Sequence, residues 1–142
     1  EPRCRQDINN LLLDIGYTYL FNFIEGMLCI YGFDIYCGIY HTFFYQRKSL
    51  VCDIIEPFRC IIDRRLRKAH NLGQINENDF FIQHHQYQLE WKSQQKYIRL
   101  FVKDILEEKE MEVLQQIFDG LSSLATKLPA IDMKAIFIIA GL

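Results

Sequence analysis

Apolar residues recur at helical spacing through most of this chain, and the breaks in that pattern divide it into elements. From Asp7, whose carboxylate suits a helix N-cap, Leu12, Leu13, Tyr17, Leu20, Phe21, Ile24 and Leu28 trace a broad helical face to about Tyr31. So wide a face predicts a helix covered on several sides. Gly32 is placed to end it as a C-cap, and Phe33-Asp34 begins a turn. Gly38 to Lys48 is aromatic without a clean period, which predicts an irregular link. Ser49 then caps a second helix to about His70, with Leu50, Ile54, Phe58, Ile61, Ile62, Leu66 and Ala69 on its core side. Pro57 cannot donate to the carbonyl of Asp53, so a kink or a restart is expected near Glu56. Asn71 to Asp79 is polar and reads as a loop, and Phe80 to Glu90 is ambiguous between helix and strand. Helical spacing returns from Ser93 to about Lys109, and a further helix is expected from about Glu110 to Lys127, before Pro129. The pattern predicts an all-α fold, a helical bundle.

Composition narrows the class. The chain has 142 residues, half of them apolar and 14% aromatic, enough for one domain with a sizeable core. No apolar run reaches the roughly 18 residues a membrane helix needs, so no membrane partner is expected. The apolar tail Ile136 to Leu142 is expected to be buried against another subunit. The five cysteines, Cys4, Cys29, Cys37, Cys52 and Cys60, form no CxxC pair and read as reduced thiols in a cytoplasm. Cys29, Cys52 and Cys60 lie among apolar residues, as small hydrophobes do. There is no Gly-rich phosphate loop, no zinc-finger spacing and no Ser-His-Asp arrangement.

The chemistry concentrates between Gly38 and Arg59. His41 is followed by Arg47 and Lys48, then by Asp53 and Glu56, then by Arg59. Asp53 and Glu56 stand at i and i+3 and so project from one helix face. An imidazole with carboxylate oxygens suits Mg²⁺, Mn²⁺ or Zn²⁺, and the hard oxygens favour Mg²⁺ or Mn²⁺. A solvated helix face beside a structural histidine is the bland account of the same residues. Net charge is −2, which by itself argues against nucleic acid. Its distribution argues the other way. Between Arg47 and Lys68 stand Arg47, Lys48, Arg59, Arg64, Arg65, Arg67 and Lys68 against only Asp53, Glu56 and Asp63. A divalent cation would cancel two of those acids, and the basic residues would suit a phosphodiester. Elsewhere, Glu25 reads as a local hydrogen-bonding group or a carboxylate facing the site, and His84-His85 lacks a carboxylate at ligand spacing. Trp91, which with Tyr87 could stack a base, reads as core, and Phe43 and Phe44 as packing, with Tyr45 open.

The wording Asp7-Ile-Asn9, Gly16-Tyr17, Gly32-Phe33-Asp34, Gly38-Ile-Tyr-His41, Arg47-Lys48-Ser49-Leu50, Asp53-Ile-Ile-Glu56-Pro-Phe-Arg59 and Asp63 resembles the CRISPR-associated spacer-acquisition integrase. The resemblance is to the catalytic C-terminal helical domain and runs from about Arg5 to about Asp79. It implies a metal-dependent DNA integrase and endonuclease that inserts short fragments into a repeat array. It also implies a cytoplasmic homodimer or dimer of dimers on double-stranded DNA, together with the small second CRISPR adaptation subunit. His41 and Glu56 would hold Mg²⁺ or Mn²⁺, with Asp53 assisting directly or through water. Arg47, Lys48, Arg59, Arg64 and Arg67 would contact phosphates. The family's metal site has a further Glu on a helix upstream of the stretch matching Asp7, and the family carries an N-terminal β-domain. Neither has a counterpart in these residues, so residues 1–142 read as one helical catalytic domain, a fragment or minimal form. The alternatives are a non-catalytic helical interaction module and a related transposon integrase.

Overall fold

A computed structural model describes residues 7–41 and 44–106, together with Glu112, Gln115, Gln116, Phe118, Asp119, Gly120 and Ser123. Two long helices dominate it: α1, Ile8–Ile30, and α2, Ser49–Asn71. A single 3₁₀ turn, Glu77–Asp79, leads into a hairpin of β1, Phe80–Gln83, and β2, Gln86–Leu89, and then into α3, Trp91–Ile105. Among the described residues the fold is all-α with one small hairpin.

The helix ends follow the local chemistry. The Asp7 side chain accepts the Asn9 N–H at 3.2 Å, the N-cap contact its position predicts. Gly32 has a positive φ of 78° and closes α1 in a Schellman arrangement, with Phe33 N–H donating to the Leu28 carbonyl at 3.0 Å and Gly32 N–H to that of Cys29 at 3.1 Å. Gly73, at φ 62°, closes α2 the same way through Gln74 N–H to Ala69 and its own N–H to His70. Of the kink or restart expected near Glu56, the restart does not occur: α2 runs from Ser49 to Asn71 with Pro57 inside it. The missing N–H removes one bond, and the exposed ring leaves the ladder on either side intact.

The ambiguous stretch Phe80–Glu90 is the hairpin. Phe80 pairs with Leu89 and Gln83 with Gln86, leaving His84-His85 as a two-residue turn with φ of 51° and 60°. Two positive φ values are the I′ pattern whose twist matches a hairpin, normally supplied by Asn-Gly. The pair His84-His85 is therefore a turn, with both side chains exposed.

The chain divides into two compact units. One comprises residues 1–20 and 58–106. Its buried residues include Leu12, Leu20, Phe58, Ile62, Leu66, Tyr97 and Phe101. Asp79 ties its parts together by accepting from Ser93, Lys96 and Tyr97, each at 2.8 Å. Trp91, expected in the core, is 81% exposed at the first residue of α3. Gly16 is where α1 is crossed closely: a Cβ there would collide with Ile62 Cγ2 and lie 3.1 Å from Phe101. Gly16→Ala is therefore expected to cost about 1–3 kcal/mol by urea unfolding, and a neutral result would show that Ile62 repacks freely.

The other unit comprises residues 21–57 and 107–142. Ile24, Leu28, Ile39, Leu50, Val51 and Ile54 are buried in it. Phe118 stacks on Tyr31 with ring centroids 5.5 Å apart, and the Tyr31 hydroxyl donates to Asp119 at 2.7 Å. Glu112, Gln115, Gln116, Phe118, Asp119, Gly120 and Ser123 are helical, within the span expected from Glu110 to Lys127. The tail Ile136–Leu142, Cys4, Thr42 and Phe43 lie outside the described residues. Cys29, Cys37, Cys52 and Cys60 are free thiols; Cys29 and Cys60 are exposed, contrary to their expected packing. They fall where the broad apolar pattern of each helix meets solvent. Among the described residues, no helix is long and apolar enough to cross a membrane.

Candidate functional site

The link between α1 and α2 is irregular, as its sequence predicts, and it is held from both ends. Tyr36 N–H donates to the Asp34 carboxylate at 3.0 Å, and Leu50 N–H reaches back to the Ile35 carbonyl at 3.0 Å. Gln46 takes a φ of 57° in the turn where Arg47 N–H donates to Phe44.

The centre of the link wraps around Asp53, one turn into α2. Asp53 Oδ2 accepts the N–H of Ile39 at 2.5 Å and of Tyr40 at 3.0 Å, and Oδ1 accepts the His41 N–H at 3.3 Å. The same Oδ1 bonds the His41 ring through Nδ1. Asp53 is thus a hub for three successive backbone N–H groups and an imidazole, with its side chain only 2% exposed against 35% for His41. Burial alone would push its carboxyl up. The His41 ring and the N–H groups of Ile39 and Tyr40 outweigh that and hold it below the ordinary carboxylate value. Gly38 makes the wrap possible, because a Cβ there would meet the His41 carbonyl oxygen and Ser49 Cβ at 2.6 Å and Asp53 Oδ2 at 3.1 Å.

An imidazole tied through Nδ1 to a carboxylate keeps Nε2 for another partner, the arrangement found behind metal-bound histidines. Glu56 lies three residues beyond Asp53, one turn along α2, and is exposed. Among the described residues, no three His, Cys, Asp or Glu side chains gather as a metal shell. An imidazole nitrogen and a carboxylate oxygen are donor types that suit a divalent cation completed by water or further oxygens.

The basic residues take different roles. Arg47 is exposed in the link. Lys48 is not a bare cation: its Nζ meets both Glu25 oxygens, at 2.6 and 2.7 Å. The Glu25 hydrogen bond raises the Lys48 pKa. Arg59 lies over the Tyr17 ring, 4.4 Å from its centroid, and the Tyr17 hydroxyl donates to Asp63. Arg64 is exposed on α2, and Arg65 donates from Nε to the Leu100 carbonyl at 3.0 Å. Arg67 borders an open cleft of about 430 Å³ with Asn9, Leu13, Asp63, Leu66, His70 and Asn71. Phe44 is 67% exposed, not packed as expected, and Tyr45 is 79% exposed. The sequence singles out His41, Asp53 and Glu56 as candidates, and it does not show the pairing of Glu25 with Lys48. The available signal was a carboxylate inside an apolar helical stretch.

The helical fold recurs in solved structures. A casposase bound to integration product superposes with a TM-score of 0.76 at 20% identity, covering 90% of this chain and 38% of that one. The chain belongs to the family CRISPR associated protein Cas1, whose sequence model matches residues 1–103. A CRISPR-associated endonuclease Cas1 of Thermodesulfovibrio yellowstonii is 35% identical over 75 residues, 53% of this chain and 24% of that protein. A CRISPR-associated endonuclease Cas1 of Leptospira interrogans is 37% identical over 79 residues, 56% of this chain and 30% of that protein. A chain of a partial Cas6-RT-Cas1–Cas2 complex superposes with a TM-score of 0.75 at 26% identity, covering 85% of this chain and 39% of that one. The chain thus spans about a quarter of the length of such curated relatives.

Proposed function

We propose that this chain is the helical part of a DNA integrase and endonuclease that joins short DNA fragments into a CRISPR repeat array at a divalent metal ion. The observation that carries this reading is the His41–Asp53 pair, with Nε2 left available and Glu56 one turn further along α2. His41 and Glu56 are the residues that would hold Mg²⁺ or Mn²⁺. Asp53, with both oxygens already engaged by the link, acts through His41 by fixing its ring and its tautomer. Bound there, the cation supplies Lewis-acid polarisation of a phosphodiester and stabilisation of the departing oxygen. The reaction is in-line attack of a DNA 3′-hydroxyl oxygen on phosphorus, one P–O bond forming as another breaks. Arg47, Arg59, Arg64 and Arg67 position phosphates without reading bases.

Double-stranded DNA is the proposed substrate, favoured by the casposase held on integration product. The relative from a Cas1–Cas2 complex favours Cas2, the small second adaptation subunit, as partner. Joining both ends of a fragment needs two sites, so the chain acts as a homodimer or a dimer of dimers.

Mn²⁺ titration followed by electron paramagnetic resonance tests the site. Glu56→Ala, which removes a direct ligand, is expected to weaken Mn²⁺ affinity by at least the roughly 10–100-fold that loss of an outer-shell partner costs, with the fold unchanged by circular dichroism. Equal affinity in the variant would refute the assignment.

A further inference from the structure

Glu25 has no part in the DNA chemistry proposed above, and it neutralises a residue that the sequence offers as a phosphate contact. Its place explains why. Glu25 and Phe21 stand at i and i+4 on α1 and share a face. Lys48 reaches that face from the residue just before α2, its ammonium between the two Glu25 oxygens and 5.9 Å from the centre of the Phe21 ring. Both partners are partly screened, Lys48 at 34% and Glu25 at 23% side-chain exposure. The Lys48 carbonyl also accepts the Cys52 N–H at 3.1 Å, so this residue forms the start of α2's hydrogen-bond ladder. The next residue of α2 after Cys52 is Asp53, the hub of the link.

We propose that Glu25 and Lys48 are a positioning pair: a clasp that closes the base of the link and sets the start of α2, and through Asp53 the orientation of the His41 ring. The proposal rests on the reading of His41 as the imidazole of the site. Lys48 serves the site from behind, with its charge spent on Glu25 and not on DNA.

The two roles differ in sign. Three variants of the chain are compared: Glu25→Gln, Lys48→Met and the exchange Glu25→Lys with Lys48→Glu. Each is read by the ¹⁵N and ¹H signals of the His41 ring and by DNA affinity against salt. A clasp predicts that both single variants shift the His41 signals in the same direction. It further predicts that the exchange restores them at least halfway, and that the salt slope of DNA binding stays unchanged throughout. A phosphate contact predicts the opposite pattern. Lys48→Met alone would lower the slope by about one, Glu25→Gln would leave affinity equal or tighter, and the exchange would not rescue. That pattern, or unmoved His41 signals in both single variants, overturns the proposal. Should a single variant fold poorly, Lys48→Arg, which keeps the charge and reaches Glu25 with its fork, must retain the parent His41 signals. The ring signals need no metal, so a parent chain that binds no Mn²⁺ would defeat the functional reading and still leave the clasp decided.

Discussion

Asp53→Ala is expected to unfold the link and to destabilise the chain by about 3–5 kcal/mol, the cost of removing one partner from a buried charged network. Three consecutive N–H groups, of Ile39, Tyr40 and His41, lose their acceptor together; the Ile39 donor is buried, and a buried donor left unpaired costs about 1–3 kcal/mol, while water can reach that of Tyr40. Asp53→Asn is expected to be little better, because only one of its terminal atoms accepts and the other aims hydrogens at donors. Urea unfolding measures the loss, and a change below about 1 kcal/mol would show that the link holds itself. The pH dependence has a definite sign. The folded-state carboxyl is held below its ordinary value of 3.8, so its contribution is fully present above that pH. It disappears as pH falls through the lower folded value. In acid, the parent should lose stability that Asp53→Ala never had, and the two unfolding curves should converge below about pH 4. Curves that remain parallel would show that another group holds the link.

Gly38→Ala tests the same site without altering a charge. The added methyl group would stand 2.6 Å from the His41 carbonyl oxygen and from Ser49 Cβ, and backbone cannot swing aside as a long side chain can. The link must move away from α2, carrying the His41 ring off Asp53. A stability loss of about 1–3 kcal/mol is expected. If the proposed integrase reading holds, strand transfer assayed with a labelled 3′-ended fragment and a plasmid target should fall by about a hundredfold, as displacement of a reacting group by an ångström can cause. The two measurements separate two effects, since Gly16→Ala should give a comparable stability loss by crowding Ile62 and Phe101 in the other unit. If Gly38→Ala retains activity at matched stability, the placement of His41 is not what the reaction requires.

The helices and the position of the chemistry were legible in the chain. Leu50, Ile54, Phe58, Ile61, Ile62, Leu66 and Ala69 were picked out by spacing, and all are buried. Asp7 and Gly32 mark helix ends because capping is local: the donor and acceptor lie within a few residues of each other. The His41, Asp53 and Glu56 set was visible as residue types at a spacing, and it was the family resemblance that gave those types a reaction. Other features depended on groups distant in sequence. The hairpin at Phe80–Leu89 hid its turn in His84-His85, since nothing in a histidine pair announces two positive φ values. Trp91 looked like core by its size, yet it begins α3 on the solvent side. A sequence shows the Asp53 carboxylate but not what its oxygens hold; only the folded link brings three N–H groups and a ring onto them. Lys48 likewise read as a free cation until Glu25, 23 residues earlier, came to lie against it. The sequence by itself determined which segments are helical and which residues have the right chemistry, because propensity, periodicity and capping act within a turn or two. Tertiary structure alone decided which charges are already paired, because hydrogen bonds between side chains distant in sequence exist only once the helices have packed.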